Sequence, residues 1–287
     1  MPSKSTDNRF KNERFLTTSL QAAIEAGEAI QKIYHTGFQV EYKEDQSPLT
    51  LADKTAHDII VRHLRNSGIP VLSEEGKAIP FEERKAWKTL WVVDPLDGTK
   101  EFVKRNGEFT VNVALVKDGT PVMGVVYAPD RDVLYFAMQD MGAYKIADPQ
   151  RIHEYRTGME LGRITLQDLL QAARQLPLDD QQVRPYTIVG SRSHATPDLE
   201  KFVADKRMAF KEVDFIPAGS SLKVCLVAEG RADIYPRLAP TMEWDTAAGQ
   251  AVASCSGARI YAYESGCALT YNKENLLNPW FVVERKL

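Results

Sequence analysis

Three short stretches of this chain carry carboxylates in settings that suit hard-cation chemistry: LSEEG with Glu74 and Glu75, DPLDGT with Asp94 and Asp97, and MEWDTAAG with Asp245. Asp94 closes the hydrophobic run TLWVVD. Pro95 and Gly98 then shape a tight connection, Leu96 offers its backbone carbonyl, and Thr99 offers a hydroxyl at the start of a following helix. Carboxylate, carbonyl and hydroxyl oxygens are the ligands that Mg²⁺ prefers. Each stretch also has a plain reading. Asp-Pro and Asp-Gly punctuate ordinary turns, adjacent glutamates are commonly solvated, and Asp245 can cap a helix or complement its dipole. Three acidic features at element boundaries nevertheless favour one shared oxygen cluster. A two-metal phosphoryl site would use it, since Mg²⁺ polarises phosphoryl oxygens, lowers the pKa of water and neutralises a departing oxygen. Gly219–Ser220–Ser221 could add donors to phosphate at a helix start, although glycine and serine cap many helices.

The elements that must position these groups follow from periodicity. Leu16, Leu20, Ala23, Ile24, Gly27, Ile30 and Tyr34 recur at helical spacing and predict a helix over 15–34. A second helix is expected over 53–66, with Asp53 at its beginning and Gly68 and Pro70 stopping it before a short strand at Val71–Leu72. TLWVVD reads as a buried strand ending at Asp94. FTVNVALV, VMGVVYA and DVLYFAM follow as strands, with Asp118–Gly119 as a hairpin turn. Residues 145–185 are polar and read as a transition with a short helix near 165–175. Beyond it YTIVG, MAFKEVD and ADIYP read as strands, and TPDLEKFVADK, SSLKVCLVAEG and WDTAAGQAVASC as helices. That alternation predicts a layered α/β region. The expected division is a flexible polar leader over 1–14, an α+β lobe over 15–150 with most of the metal ligands, and an α/β lobe over 151–287 with Asp245.

Composition narrows the class. A chain of 287 residues with 44% hydrophobic and 26% charged residues can bury a substantial core, and a formal charge of -3 offers no broad cationic surface for nucleic-acid polymers. Cys225, Cys255 and Cys267 form no CxxC pair, so a reducing compartment, the cytoplasm, is the expectation. No apolar run approaches the roughly 20 residues of a membrane span.

In this order, LSEEG, DPLDGT and WDTAAG closely resemble the signature of the lithium-sensitive, Mg²⁺-dependent phosphatases of the inositol monophosphatase superfamily. VGSRSH at 189–194, AGSSLKVCLVAEG at 218–230 and DIYPR at 233–237 are most similar to its CysQ-type 3'(2'),5'-bisphosphate nucleotidases. The resemblance implies an αβαβα sugar-phosphatase fold with the active site between two lobes. It implies hydrolysis of adenosine 3',5'-bisphosphate to AMP and phosphate, with 3'-phosphoadenylyl sulfate as a further substrate, and with lithium inhibition and peripheral inner-membrane association as family traits. Carried over by motif, Glu74, Asp94, Asp97, the Leu96 carbonyl and Asp245 hold two or three Mg²⁺ ions. Thr99 and Asp53 manage the attacking water, Glu74 is its more direct partner, and Glu75 tunes the site from outside.

Metal ligands alone cannot select a nucleotide over an inositol phosphate. Gly98, Thr99 and Lys100 offer backbone donors to the transferring phosphate. Ser191, Arg192, His194, Ser220, Lys223 and Arg237 are the nucleotide candidates. Lys223 and Arg237 can equally be a solvated lysine and an inter-lobe ion-pair arginine. Tyr235 and Trp244 sit in hydrophobic patterns and read as core, not as a stacking platform. SGARIYAYESG at 256–266 is poorer in glycine than the family region, which bears on substrate preference and leaves the ligand set intact. An inositol monophosphatase is the nearest alternative, and a phosphate-binding protein without catalysis a more distant one.

Overall fold

Alternate residues of the strands predicted around Asp94 point into two different cores. The computed structural model describes residues 4–36, 40–42, 48–178, 184–191 and 196–286. It opens with α1 (Lys4–Tyr34), the short strands β1 (Val40–Tyr42) and β2 (Pro48–Thr50), α2 (Leu51–Arg65), β3 (Val71–Ser73) and α3 (Phe81–Arg84). Then come β4 (Thr89–Asp97), α4 (Thr99–Val103), β5 (Thr110–Lys117), β6 (Thr120–Ala128), β7 (Val133–Met138) and β8 (Gly142–Ala147). The chain continues through α5 (Pro149–Glu160), α6 (Leu166–Ala172), β9 (Arg174–Gln175), β10 (Tyr186–Ser191), α7 (Pro197–Ala209) and β11 (Val213–Ala218). It ends with α8 (Leu222–Ala228), β12 (Ile234–Arg237), α9 (Glu243–Cys255), β13 (Arg259–Ala262) and β14 (Phe281–Glu284).

Strands β3 to β9 form a seven-stranded sheet in sequence order, parallel only between β3 and β4. A five-stranded sheet runs β11-β10-β12-β14-β13. In β4, Trp91 and Val93 join a core with Leu16, Leu20 and Ile24 of α1 and Ile60 of α2, whereas Leu90 and Val92 face Val224 of α8 and Val252 of α9. The same two-residue alternation continues through β5, β6 and β7, as expected for a sheet covered on both faces. In the smaller sheet Val189, Tyr235 and Val283 turn toward α8 and α9, while Ile188, Ile234 and Val282 pack with Phe202 and Val203 of α7. The layers therefore run helix, sheet, helix, sheet, helix, which is the αβαβα order expected.

Helix α9 can lie directly on the larger sheet because both surfaces are small. A Cβ added at Gly124 of β6 would fall 2.4 Å from the Ala248 carbonyl oxygen and 2.8 Å from the Ala251 Cβ. The run Ala247, Ala248, Gly249, Ala251 is thus a packing surface.

Several expectations change. The first helix begins at Lys4 instead of 15, because no proline or glycine interrupts the segment between Lys4 and Leu16, so the leader is helical. The strand placed on MAFKEVD shifts to Val213–Ala218, since α7 runs through Ala209. Residues 149–160 form α5, which periodicity left unassigned, and its Ile152, Tyr155 and Met159 pack beneath the first sheet. With Leu169 of α6 and strand β9, the chain stays with that sheet past residue 150. Strands β13 and β14 were not anticipated. Asp118 and Gly119 do form the hairpin turn, both with positive φ (48° and 75°). No helix among the described residues is long and apolar enough to cross a membrane.

Candidate active site

Strand β4 does not stop at Asp94. It continues to Asp97 across a bulge, pairing Asp94 with Asn112 and Asp97 with Thr110. The bulge accommodates Pro95, which cannot donate to a regular ladder. Asp94 is 1% exposed, and its Oδ1 accepts the Leu96 N–H at 3.1 Å. Gly98 follows with φ of 91°, a left-handed conformation that glycine adopts without strain, and α4 starts at Thr99.

Asp97 is held from three sides. Its Oδ2 accepts the Ser221 N–H at 2.7 Å, and the Thr110 hydroxyl and Asn112 amide each lie 3.4 Å away. Ser221 also joins Asp97 to the third acidic stretch, because its hydroxyl donates to the Asp245 carbonyl at 2.9 Å. Asn112 donates to the Ser221 hydroxyl at 3.0 Å. Neither Thr110 nor Asn112 was singled out from the sequence. The available signal was a pair of polar residues, two apart and so on one face, in the otherwise apolar run FTVNVALV.

Glu74 follows β3, whose pairing with β4 is extended by the Glu74 N–H donating to the Val93 carbonyl at 3.1 Å. Just before it, the Ser73 hydroxyl lies 2.9 Å from Nδ1 of His57 on α2. Asp245 is the third residue of α9, and its Oδ2 accepts the Met242 N–H at 2.9 Å. A helix-start role and a place in the cluster therefore coexist. Glu74, Asp94 and Asp245 each bring a carboxylate oxygen within 4.8 Å of the others.

Asp53 sits beside this cluster as the acidic arm of a capping box. Its Oδ2 accepts the Thr50 N–H at 2.7 Å and the Thr50 hydroxyl at 2.6 Å. Its Oδ1 lies 3.1 Å from the Thr99 hydroxyl, which is also 3.3 Å from the Leu96 carbonyl. The spacing of Thr50 and Asp53 was a readable cap signal, and Thr50 was overlooked.

The electrostatics match a site built to receive positive charge. Burial, then the charges of Glu74, Asp97 and Asp245, drive the Asp94 carboxyl well above its usual range. Burial and the Asp97 charge push Asp245 up to about 8, against the Met242 N–H. Burial also raises Asp53, and the Glu75 charge adds to this against the bonds from Thr50. Carboxylates this close cannot all ionise without a counter-charge. Oxygen-only donors of this kind fit a hard divalent cation better than a thiophilic one.

Next to the carboxylates opens a cavity lined by Asp97, Gly98, Ser191, Ser220, Lys223 and Arg237. Lys223 is 6% exposed, donates to the Ser220 carbonyl at 2.7 Å, and lies 5.6 Å from the Tyr235 ring centre. Burial lowers its pKa to about 8, with Asp97 opposing and Arg237 adding to the fall. It is a pocket lysine, not a solvated one. Arg237 donates to the Pro240 carbonyl at 3.0 Å, and its Nε, like the Ser220 hydroxyl, is a buried group without a hydrogen-bond partner among the described residues. Lys100 is exposed and does not line the cavity. Arg192 and His194 lie outside the described residues. Tyr235 is buried and Trp244 packs against the core between the sheets, as anticipated.

A model of the inositol monophosphatase family matches residues 11–284. The 3'(2'),5'-bisphosphate nucleotidase CysQ of Salmonella typhimurium is 43% identical over 268 residues, covering 92% of this chain and 96% of that protein. The enzyme of the same name from Haemophilus influenzae is 35% identical over 277 residues, covering 95% and 93%. Among solved structures, CysQ from Bacteroides thetaiotaomicron, a bacterial member of the inositol monophosphatase family, is 48% identical with a TM-score of 0.87, covering 96% of this chain and 98% of that one.

Proposed function

The chain belongs to the inositol monophosphatase family, and from that premise we propose that it is a 3'(2'),5'-bisphosphate nucleotidase of the CysQ type. It hydrolyses the 3'-phosphate of adenosine 3',5'-bisphosphate to give AMP and inorganic phosphate. The observation that carries this reading is the meeting of Glu74, Asp94 and Asp245 beside a cavity holding Lys223 and Arg237. Activity on 3'-phosphoadenylyl sulfate belongs to the same reading. Unpaired thiols at Cys225, Cys255 and Cys267 suit a reducing cytoplasm.

Glu74, Asp94, Asp97, Asp245 and the Leu96 carbonyl would hold two or three Mg²⁺ ions. Bound there, Mg²⁺ supplies Lewis-acid polarisation of the phosphoryl oxygens and neutralises negative charge in the transition state. Thr99 donates its hydroxyl proton to Asp53, which leaves its oxygen lone pairs to orient the attacking water. Glu74 accepts the proton that this water loses as its oxygen bonds to phosphorus. The bond from phosphorus to the ribose 3'-oxygen breaks in line, and that oxygen takes a proton from water beside Asp245. Backbone N–H groups of Gly98, Thr99 and Lys100 orient the transferring group. Lys223, Arg237 and Ser220 bind the nonreacting phosphate and ribose, and Ser191, Arg192 and His194 complete the nucleotide contacts.

Purified protein assayed side by side with Mg²⁺ on adenosine 3',5'-bisphosphate and inositol 1-phosphate should release phosphate preferentially from the nucleotide, with AMP as the product. Preference for inositol phosphate would keep the carboxylate chemistry and overturn the nucleotide assignment. Nucleotide binding without phosphate release would overturn catalysis itself.

A further inference from the structure

Asp245 reaches the carboxylate cluster from the first turn of α9, so its placement depends on the register of that turn. Two residues before it stands Glu243, a carboxylate with no solvent exposure that is outside the cluster. Its Oε2 accepts the Asn272 N–H at 2.6 Å. Its Oε1 accepts the Lys273 N–H at 3.0 Å and the Lys273 ammonium at 2.6 Å. A buried, fully paired carboxylate of this kind is poor value as a stabiliser compared with an apolar side chain, and its best-attested use is to specify register.

The 272–274 segment is gripped from its other side as well. Asn272 occupies a left-handed conformation (φ 64°), accepts from Arg84 Nη1 at 3.1 Å, and donates to the Arg84 carbonyl at 2.7 Å. Arg84 Nη2 donates to the Glu274 carbonyl at 2.8 Å, and Arg84 is 3% exposed. Arg84 ends α3, within the same β3–β4 connection that carries Glu74. Hydrogen bonds thus tie the helix turn bearing Asp245 to Arg84, which follows Glu74 along the same β3–β4 connection.

We infer that Glu243 is a positioning residue which, through the 272–273 backbone and Arg84, sets the separation of Glu74 and Asp245 and so the cluster's affinity for its cation. The inference rests on the metal reading above and adds a role for residues that touch neither metal nor substrate. Its consequence is specific: weakening the brace should loosen cation binding while nucleotide recognition by Lys223 and Arg237 stays intact.

The test is Mg²⁺ binding by titration calorimetry on substrate-free protein, alongside nucleotide KM at saturating Mg²⁺. Glu243→Gln places an amide among donors that need a carboxylate. It should weaken Mg²⁺ binding by about tenfold, the scale of outer-sphere substitutions at metal sites, and leave KM within about twofold. Arg84→Lys, which loses the fork but keeps the charge, should move Mg²⁺ affinity in the same direction. A Glu243→Gln protein that melts earlier yet binds Mg²⁺ with wild-type affinity overturns the inference. Should that variant not fold, wild-type affinity in both Arg84→Lys and Lys273→Met overturns it equally. Wild-type protein that binds no Mg²⁺ overturns the function proposed above, and this role with it. Wild-type binding with unaffected variants overturns this role alone.

Discussion

Asp94, proposed above as a metal ligand, shows how a side chain placed for chemistry can burden the fold that holds it. It is buried among like charges, with its carboxyl driven well above the usual range by burial first and by Glu74, Asp97 and Asp245 next. Asp94→Asn keeps the volume and removes the charge. Turnover with Mg²⁺ should fall on the order of a hundredfold or more, as expected for losing about 3 kcal/mol of transition-state stabilisation. The metal-free variant should melt no lower than wild type, because folding no longer has to bury a carboxylate against its neighbours or protonate it. Retained turnover with a normal Mg²⁺ response would remove Asp94 from the site. Lys223 is the complementary case, a cation enclosed beside the Tyr235 ring. Lys223→Ala should raise nucleotide KM about tenfold, in line with losing one charge-assisted hydrogen bond, and affect a small monophosphate far less. Equal losses on both substrates would point to damage of the pocket as a whole.

Helix α9 carries the argument at the scale of elements. Its small-residue face lets it approach β6 until Gly124 meets the Ala248 carbonyl. Gly124→Ala should cost about 1–3 kcal/mol in urea unfolding, the usual range for overpacking, and should weaken Mg²⁺ activation because the displaced helix carries Asp245. Unchanged stability would show that the helix has room to slide. This helix was legible in WDTAAGQAVASC because helical periodicity and the small-residue run agree. So were β5, β6 and β7, where apolar alternation is strong and a hairpin turn pins the register. The passage of β4 through Pro95 to Asp97 was not legible, since a proline after a strand ordinarily reads as its end and only pairing with Thr110 restores it. Strands β13 and β14 were missed for a related reason. Each is only four residues long, and β14 is fixed by pairing with both β12 and β13, so the short run FVVE was a weak signal beside the long strands.

Taken whole, the molecule holds its carboxylates where distant segments meet, so its stability should respond to pH and cation together. The Asp245 carboxyl rises from 3.8 to about 8 in the folded chain, by burial and then Asp97. Between those values the unfolded chain has already released a proton that the native state retains. Unfolding therefore releases protons, and metal-free stability should fall as pH rises from about 4 to 8. On the proposed reading Mg²⁺ binds the folded site alone, so it should raise the melting temperature, and more strongly toward pH 8, where Asp245 gives up its proton more readily. Melting scans at pH 5, 6, 7 and 8, with EDTA and with Mg²⁺, check both arms; a gap that narrows toward pH 8 would contradict them. At this scale the sequence could nominate the acidic stretches by their chemistry, as it did Glu74, Asp94 and Asp245. It could not say that Ser221 would bind Asp97 and Asp245 at once, because that contact exists only after α8 and α9 are packed between two sheets.

That packing has an evolutionary consequence. Asp94 and Asp97 lie on β4, Glu74 follows β3, and Asp245 sits on α9 between the sheets, whereas Ser191 and Arg237 lie at the ends of β10 and β12. On the proposed reading, changes at those strand tips should alter the preferred phosphate ester while leaving the carboxylates in place. The reactive centre would pass on with the core, and Lys223 with it, while the strand tips vary.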